Sequence, residues 1–214
     1  MKYKTIVFDY DGTLHETISI YYPAFLKANQ YLVEHGYQPK KEWTPKMVSR
    51  FIGMSPTEMW QTFKPSIPND IIEIVTKIVG QAMVEAIDQG HAKLYDGALD
   101  VLKTLKEHGY YLIYLSNSRT YYMEKHKEHF KLDAYFDEFH VSEQYNFIPK
   151  KEILKSFINR LPKPVLMVGD RIHDIETGIE NHIDTVGCMY GYGIHEIKDS
   201  TFKIQNIKEL LNLI

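Results

Sequence analysis

The sequence predicts an α/β fold in which a parallel-sheet core is interrupted by an inserted all-helical domain. Short apolar runs rich in β-forming residues recur at residues 5–8, 111–115, 165–168 and 185–189. Each run is followed by polar residues or glycine and then by helical periodicity, and that alternation is typical of a parallel sheet covered by helices. No comparable run occurs between Leu14 and Leu94. A chain of 214 residues is long enough for one domain with a modest insertion.

The composition limits which classes of protein and which binding partners are possible. Hydrophobic residues make up 44% of the chain, and the net charge of -3 supplies no basic field for a nucleic-acid backbone. A single cysteine, Cys188, excludes an intrachain disulfide and fits a reducing cytoplasm. The apolar run before Asp9 is too short for a signal peptide, and no apolar stretch is long enough to span a membrane. We therefore expect a soluble cytoplasmic protein, mature from Met1, with no membrane or nucleic-acid partner.

The first predicted strand, residues 5–8, ends in a motif with two carboxylates. It is followed by Asp9-Tyr10-Asp11-Gly12-Thr13-Leu14. Ligands of open α/β sheets bind at the carboxyl ends of the strands, and both carboxylates can reach one pocket there if the chain turns, which Gly12 permits. Helix capping would not require two acids at the end of a buried strand. We therefore interpret Asp9 and Asp11 as site residues.

The stretch from residue 15 to residue 94 is predicted to be an inserted helical domain, which we call the cap. Apolar residues follow helical spacing over residues 20–35 and 71–86. Between them, Thr44-Pro45 and Ser55-Pro56 each place a capping residue and a proline before helix formers, which predicts two shorter helices. An inserted unit returns its chain ends near one another. We therefore expect a core domain of residues 1–14 and 95–214 and a cap of residues 15–94.

The sheet pattern resumes after the predicted cap. A helix is predicted over residues 98–108, ended by Gly109, and is followed by the strand at residues 111–115. That strand leads into Ser116 and Asn117 before the next helix, so a hydroxyl and backbone N–H groups could face an anion. Taken alone, these two residues favour the simpler interpretation that they cap that helix.

Two further groups follow later elements. Lys150 or Lys151 opens a predicted helix, and Asp170 and Asp174 follow the strand at residues 165–168. The two aspartates are four residues apart, which places them on one face if the helix has already begun. Asp174 alone could equally be a helix-capping residue.

In this order, the motifs resemble those of the haloacid dehalogenase superfamily. The resemblance rests on four segments that span nearly the whole chain: Asp9-x-Asp11-Gly12-Thr13, Ser116-Asn117, a lysine, and Gly169-Asp170-(x)3-Asp174. The helical insertion resembles the small caps of the phosphoglycolate-phosphatase-like branch. The resemblance implies a Rossmann-like core and a Mg2+-dependent phosphatase acting on a small-molecule phosphate monoester. Phosphoglycolate, sugar phosphates and nucleotides all remain open as substrates, and so does the oligomeric state.

The resemblance also implies roles for the acidic residues. Asp9 would be the nucleophile that forms an aspartyl-phosphate, and Asp11 would protonate the leaving oxygen and later deprotonate water. Mg2+ would be held by Asp9, Asp170 and the backbone carbonyl of Asp11, with Asp174 holding a coordinated water. We expect the nearby charge of Asp9 to raise the pKa of Asp11.

The phosphoryl oxygens would be bound by Ser116, the Asn117 backbone N–H and a lysine. Lys150 is favoured as that lysine because it stands four residues before the apolar Leu154, and Lys151 is the alternative. Family members often have Lys-Pro at this helix start, whereas this chain has Pro149-Lys150-Lys151.

Other functions compete with this interpretation. A dehalogenase has no leaving oxygen to protonate, so Asp11 argues against it, and a phosphonate hydrolase would need a cap amine such as Lys27 or Lys40. A sugar-phosphate mutase would use the same core residues. A catalytically inactive binding module would not need to retain all of them together.

The histidines and tyrosines are expected to have structural roles. The ten histidines follow no metal-ligand spacing, and His15 is expected to be solvated or hydrogen-bonded rather than catalytic. Tyr121 and Tyr122 fit the face of an amphipathic helix, as core or rim residues.

Overall fold

The computed structural model describes residues 2–64 and 66–214. Contacts within the chain divide it into two compact units. The helical unit spans Thr17–Lys93, and the sheet unit comprises the chain before Thr17 and the chain from Leu94 onward. The assignment of these units as a cap and a catalytic core stays a prediction.

A parallel sheet forms the centre of the sheet unit. Among the described residues it has six strands in the order β3-β2-β1-β4-β5-β6. Their bounds are β1 Thr5–Phe8, β2 Tyr111–Ser116, β3 Glu138–Val141, β4 Val165–Gly169, β5 Asp184–Cys188 and β6 Phe202–Ile204. The strand order reverses at β1, because β2 and β3 lie on one side of it and β4 to β6 on the other. Such a reversal opens a crevice at the carboxyl ends of the strands, where ligands of α/β proteins bind. The predicted α/β class is confirmed.

Helices cover this sheet. They are α5 Ala98–Glu107, α6 Thr120–Phe130, α7 Lys150–Phe157 and α8 Ile172–Glu180. Short 3₁₀ segments lie at Leu132–Ala134, Ser142–Tyr145, Ile158–Arg160 and Ile207–Asn212. Ile153 and Leu154 of α7 are fully buried in a cluster with Val7 and Met167 of the sheet. This packing fixes α7 against the sheet and with it the position of the helix start at Lys150.

Two of the strands were not predicted from the sequence. β3 and β6 are the edge strands of the sheet, and they have four and three residues. Residues Glu138, Phe139 and His140 of β3 are only half-buried, so the segment lacks the apolar run by which the central strands were found.

The helical unit is built from four helices among the residues described. They are α1 Ile18–Glu34, α2 Pro45–Ser49, α3 Pro56–Phe63 and α4 Asn69–Asp88. The two short helices were predicted from their capping residues, and the Thr44 and Ser55 hydroxyls accept from Met47 N and Glu58 N, each at 3.3 Å. Aromatic rings pack together inside this unit: Phe25, Trp43, Phe51, Trp60 and Phe63.

Within residues 2–64 and 66–214, no helix combines the length and the apolar character that crossing a bilayer requires.

Candidate active site

Asp9 stands directly beyond the end of β1. Its amide donates to Val168 O at 2.9 Å, which extends the pairing with β4 by one residue and leaves the side chain buried. The chain then turns tightly, and the amides of Thr13 and Leu14 both donate to Tyr10 O. Gly12 has a φ of +96°, and a Cβ atom there would lie 2.4 Å from Asp170 Oδ2. Glycine is therefore required at this position both by the backbone conformation and by the space available.

Three carboxylates meet at this edge of the sheet. Within the described part of the chain, Asp9, Asp170 and Asp174 each offer an oxygen, and these oxygens lie within 4.8 Å of one another. The Thr13 hydroxyl is 3.3 Å from both Asp9 Oδ2 and Asp170 Oδ1, and the Tyr192 amide donates to Asp170 Oδ2 at 2.7 Å. All three side chains are buried. Such a donor set, made of carboxylate oxygens, is what Mg2+ prefers.

Glycines on the neighbouring loops make room for these carboxylates. A Cβ atom on Gly191 would lie 2.3 Å from Asp170 Cβ, and one on Gly169 would lie 2.1 Å from Asp174 Cγ. Carbon atoms do not approach that closely, so a side chain at either position would displace a carboxylate. The Gly191 segment after β5 is thus part of the wall around Asp170.

Lys150 connects two of the carboxylates. Its Nζ donates to Asp9 Oδ1 at 2.7 Å and to Asp174 Oδ1 at 2.6 Å, and the lysine side chain is buried. Lys151 instead lies at the surface, where its Nζ is 3.7 Å from Glu180. The structure therefore brings Lys150, and not Lys151, to the carboxylates.

Asp174 combines the two roles that the sequence left open. Its Oδ2 accepts from the Arg171 amide at 3.0 Å, directly before α8, and its Oδ1 accepts from Lys150. The residue is therefore both a helix cap and a member of the acidic cluster.

The electrostatics of the cluster are dominated by burial. Burial and the charge of Asp174 raise the pKa of Asp9 to about 7, although Lys150 acts in the opposite direction. Burial and the charges of Asp9 and Asp174 also raise the pKa of Asp170 well above its usual value. For Lys150, burial alone would lower the pKa, but the carboxylates of Asp174 and Asp9 raise it. Burial and mutual repulsion therefore disfavour the ionised forms of Asp9 and Asp170, and a bound cation would stabilise those forms.

Asp11 lies in a different environment. The Tyr122 hydroxyl donates to its Oδ1 at 2.7 Å, and His15 Nδ1 is 3.2 Å from the same oxygen. Burial would raise the pKa of Asp11, but the hydrogen bond and charge of His15, with contributions from His126 and Tyr122, lower it below its usual value. The expected rise in the pKa of Asp11 is therefore wrong, because these hydrogen bonds and charges stabilise the carboxylate more than burial destabilises it.

Ser116 and Asn117 lie at the same edge of the sheet. β2 pairs with β1 so that Tyr114 is opposite Phe8, which places Ser116 beyond the carboxyl end of β1. The Ser116 hydroxyl accepts from the Ser118 amide at 3.2 Å. At the start of α6, the Thr120 amide donates to Glu143 Oε2 at 2.9 Å. The phosphate-binding role of Ser116 and Asn117 stays a prediction.

Sequence reasoning missed the contacts around Asp11. Tyr122 and His126 belong to α6, more than a hundred residues after Asp11 in the chain, and His15 was expected to be solvated or hydrogen-bonded. The sequence offers one indication of these contacts. Tyr122 and His126 are four residues apart, so they share one face of a helix and can reach the same neighbours.

The sequence of this chain is similar to the sequences of known proteins. Residues 6–188 match the family described as haloacid dehalogenase-like hydrolase. The pyrophosphatase PpaX of Anoxybacillus flavithermus is 25% identical over 221 residues, covering 100% of this chain and 98% of the relative. The PpaX of Bacillus cereus strain ATCC 10987 is 24% identical over 221 residues, covering 100% of this chain and 97% of the relative.

Solved structures share the fold. A predicted phosphatase from Clostridium acetobutylicum aligns with a TM-score of 0.81 at 21% identity, covering 100% of this chain and 98% of that one. A predicted phosphoglycolate phosphatase from Haemophilus somnus 129PT aligns with a TM-score of 0.81 at 19% identity, with the same coverage of 100% and 98%.

Proposed function

Because this chain belongs to the haloacid dehalogenase-like hydrolase family, we propose that it is a Mg2+-dependent phosphatase. It would hydrolyse a small phosphorylated molecule through an aspartyl-phosphate formed on Asp9. The observation that carries the proposal is the buried cluster of Asp9, Asp170 and Asp174, in which Lys150 holds Asp9 from one side. That cluster supplies a nucleophile, a cation site and a positive charge at one point of the molecule.

The residues present fit Mg2+. The donor atoms are carboxylate oxygens, and their mutual repulsion in a buried setting favours a divalent cation. Asp9, Asp170 and the backbone carbonyl of Asp11 would hold the ion, and Asp174 would hold one of its waters. When bound, Mg2+ would neutralise the negative charge of the phosphoryl oxygens.

The protein's own residues divide the reaction into two steps. Asp9 attacks phosphorus, and the bond from phosphorus to the leaving oxygen breaks while Asp11 gives that oxygen a proton. Asp11 must first take up this proton, although His15 and Tyr122 hold its pKa below its usual value. Asp11 then accepts a proton from a water that attacks the same phosphorus, which releases phosphate and restores the Asp9 carboxylate. Lys150 offsets the negative charge around Asp9 in both steps, and Ser116 and the Asn117 amide would bind phosphoryl oxygens.

The substrate classes remain those left open by the sequence, with one addition. Phosphoglycolate, sugar phosphates and nucleotides are monoesters that this chemistry accepts. The relatives named pyrophosphatases match over the whole chain, which favours inorganic pyrophosphate as a second candidate. We further propose a cytoplasmic location, which the free and buried Cys188 fits, and a small molecule as the partner.

The test is phosphate release from a panel that contains all these substrates and p-nitrophenyl phosphate, with Mg2+ or with excess EDTA. Asp9→Asn serves as the contamination control, and Asp133→Asn is the matched change at an exposed aspartate. We expect Mg2+-dependent release by the wild type and by Asp133→Asn, and none by Asp9→Asn. Turnover by purified Asp9→Asn at the wild-type rate contradicts the covalent mechanism, and release in EDTA contradicts the metal requirement.

A further inference from the structure

Buried aromatic and imidazole side chains surround Asp11 on the side formed by α6. We propose that Tyr122 and His15 are positioning residues that hold the Asp11 carboxylate for proton transfer. The inference rests on the proposed phosphatase function, in which Asp11 is the proton donor and acceptor.

The contacts of Asp11 Oδ1 define the arrangement. Tyr122 donates to it at 2.7 Å, His15 Nδ1 lies 3.2 Å from it, and the Tyr122 hydroxyl is 3.3 Å from His15 Nδ1. The three groups form a closed triangle around a single carboxylate oxygen. Two contacts at one oxygen restrict rotation of the short Asp side chain, and they thereby fix where Oδ2 lies.

A second layer supports this triangle. Tyr10 and His126 share a hydrogen bond of 2.7 Å through the Tyr10 hydroxyl and His126 Nδ1. The His126 ring packs against His15 and Tyr122, each with ring centroids 4.4 Å apart, and Tyr10 stacks on His15 at 5.3 Å. All four rings are buried. His15 and Tyr122 therefore have little freedom to move away from Asp11.

Close packing alone does not require hydroxyl and imidazole groups around Asp11. A core of phenylalanine and leucine would fill the same space without burying hydroxyls and imidazoles, which is costly unless they are hydrogen-bonded. Here the Tyr122 hydroxyl and His15 Nδ1 both contact the carboxylate to which the proposed function assigns proton transfer. Proton transfer needs the donor within hydrogen-bond reach of its target, and a displacement of about 1 Å can cost about 100-fold in rate.

The test uses Tyr122→Phe, which keeps the ring and removes the hydroxyl. Tyr121→Phe is the matched control, because it is the same change on the same helix at a half-exposed side chain. Both variants and the wild type are assayed with two esters. The leaving group of p-nitrophenyl phosphate departs readily without a proton, whereas the leaving group of phenyl phosphate depends more strongly on receiving a proton.

We expect Tyr122→Phe to lose about 10-fold more in kcat on phenyl phosphate than on p-nitrophenyl phosphate, with KM changed less than about threefold. Tyr121→Phe should match the wild type on both. A merely structural role predicts the same loss on the two esters, so equal losses, or no loss on either, overturn the inference.

A second pair of variants keeps the test informative if Tyr122→Phe does not fold. His15→Asn retains an N–H group near the place of Nδ1, whereas His15→Leu has a similar size and no donor. The loss specific to phenyl phosphate should appear in His15→Leu and be smaller in His15→Asn, and the reverse order contradicts the inference. If the wild type releases phosphate from neither ester, the proposed ester hydrolysis is overturned and the inference with it. If the wild type is active and the variants lose equally on both esters, the inference alone is overturned.

Discussion

Replacing Lys150 by methionine tests the electrostatics of the acidic cluster. Methionine keeps the length of the side chain and removes the ammonium that bonds Asp9 and Asp174 at 2.7 and 2.6 Å. Both carboxylates stay buried and lose this partner. Removing one member of a buried ion pair costs about 3–5 kcal/mol, and we therefore expect Lys150→Met to lower the free energy of unfolding by about 4 kcal/mol at pH 8 without divalent cations.

The neighbouring lysine provides the control. Lys151 has 31% of its side chain exposed, and its partner Glu180, at 3.7 Å, has 58% exposed. Exposed pairs contribute about 0–1 kcal/mol because water and salt screen them. Lys151→Met should therefore lower the free energy of unfolding by less than about 1 kcal/mol.

Urea denaturation in EDTA measures the difference. With an m-value of about 2.5 kcal/mol/M, Lys150→Met should lower the midpoint by about 1.5 M and Lys151→Met by less than about 0.4 M. At lower pH, the difference in the free energy of unfolding between the wild type and Lys150→Met should become smaller. The pKa of Asp9 is already raised to about 7 with the lysine present and rises further without it, so the carboxyl takes up a proton as the pH falls. Equal midpoint shifts for the two variants, or a deficit that grows at low pH, refute the reasoning.

Two further predictions concern the same cluster. Gly191→Ala places a Cβ atom 2.3 Å from Asp170 Cβ, so it should lower the free energy of unfolding by about 1–3 kcal/mol. Gly80→Ala in α4, where the added Cβ meets nothing within 4 Å apart from the chain neighbours and the backbone of its own helix, should raise the free energy of unfolding by about 0.5–1 kcal/mol. Thermal unfolding compares the two variants. In EDTA, the wild type should lose up to about 4 kcal/mol as the pH rises from about 4 to 8, because the folded-state pKa of Asp9, about 7, exceeds the unfolded value of about 3.9. Mg2+ should raise the Tm more at pH 8 than at pH 5.5, and an equal or smaller shift at pH 8 contradicts cation binding at these carboxylates.

The central strands could be predicted because their own residues carry the signal. β1, β2, β4 and β5 are almost entirely buried, so each is a continuous apolar run. The edge strand β3 includes Glu138 and His140 and pairs with β2 alone, and its position is therefore set by a neighbouring strand rather than by its own composition. Strands of this kind have no local signal strong enough to predict them.

The same distinction applies to the candidate site. Asp9, Asp170 and Lys150 could be identified because each follows a strand or opens a helix, so that position in the chain indicates position in the fold. Tyr122 reaches Asp11 only because α6 packs over the loop after β1, and the sequence separation of 111 residues hides that contact. The error about the pKa of Asp11 has the same origin, since its donors were unknown until the tertiary structure placed them.

The two proposed catalytic aspartates are two residues apart and have opposite surroundings. Asp9 is buried with other carboxylates, which raises its pKa, whereas Asp11 is held by hydrogen-bond donors, which lowers its pKa. Burying three carboxylates beside one lysine destabilises the fold, and glycine at residues 12, 169 and 191 is needed to fit them. Selection for stability alone would favour neither the buried carboxylates nor the glycines. Their combination at the carboxyl edge of the sheet therefore supports the proposed cation site, because the positive charge of a cation would balance the carboxylates.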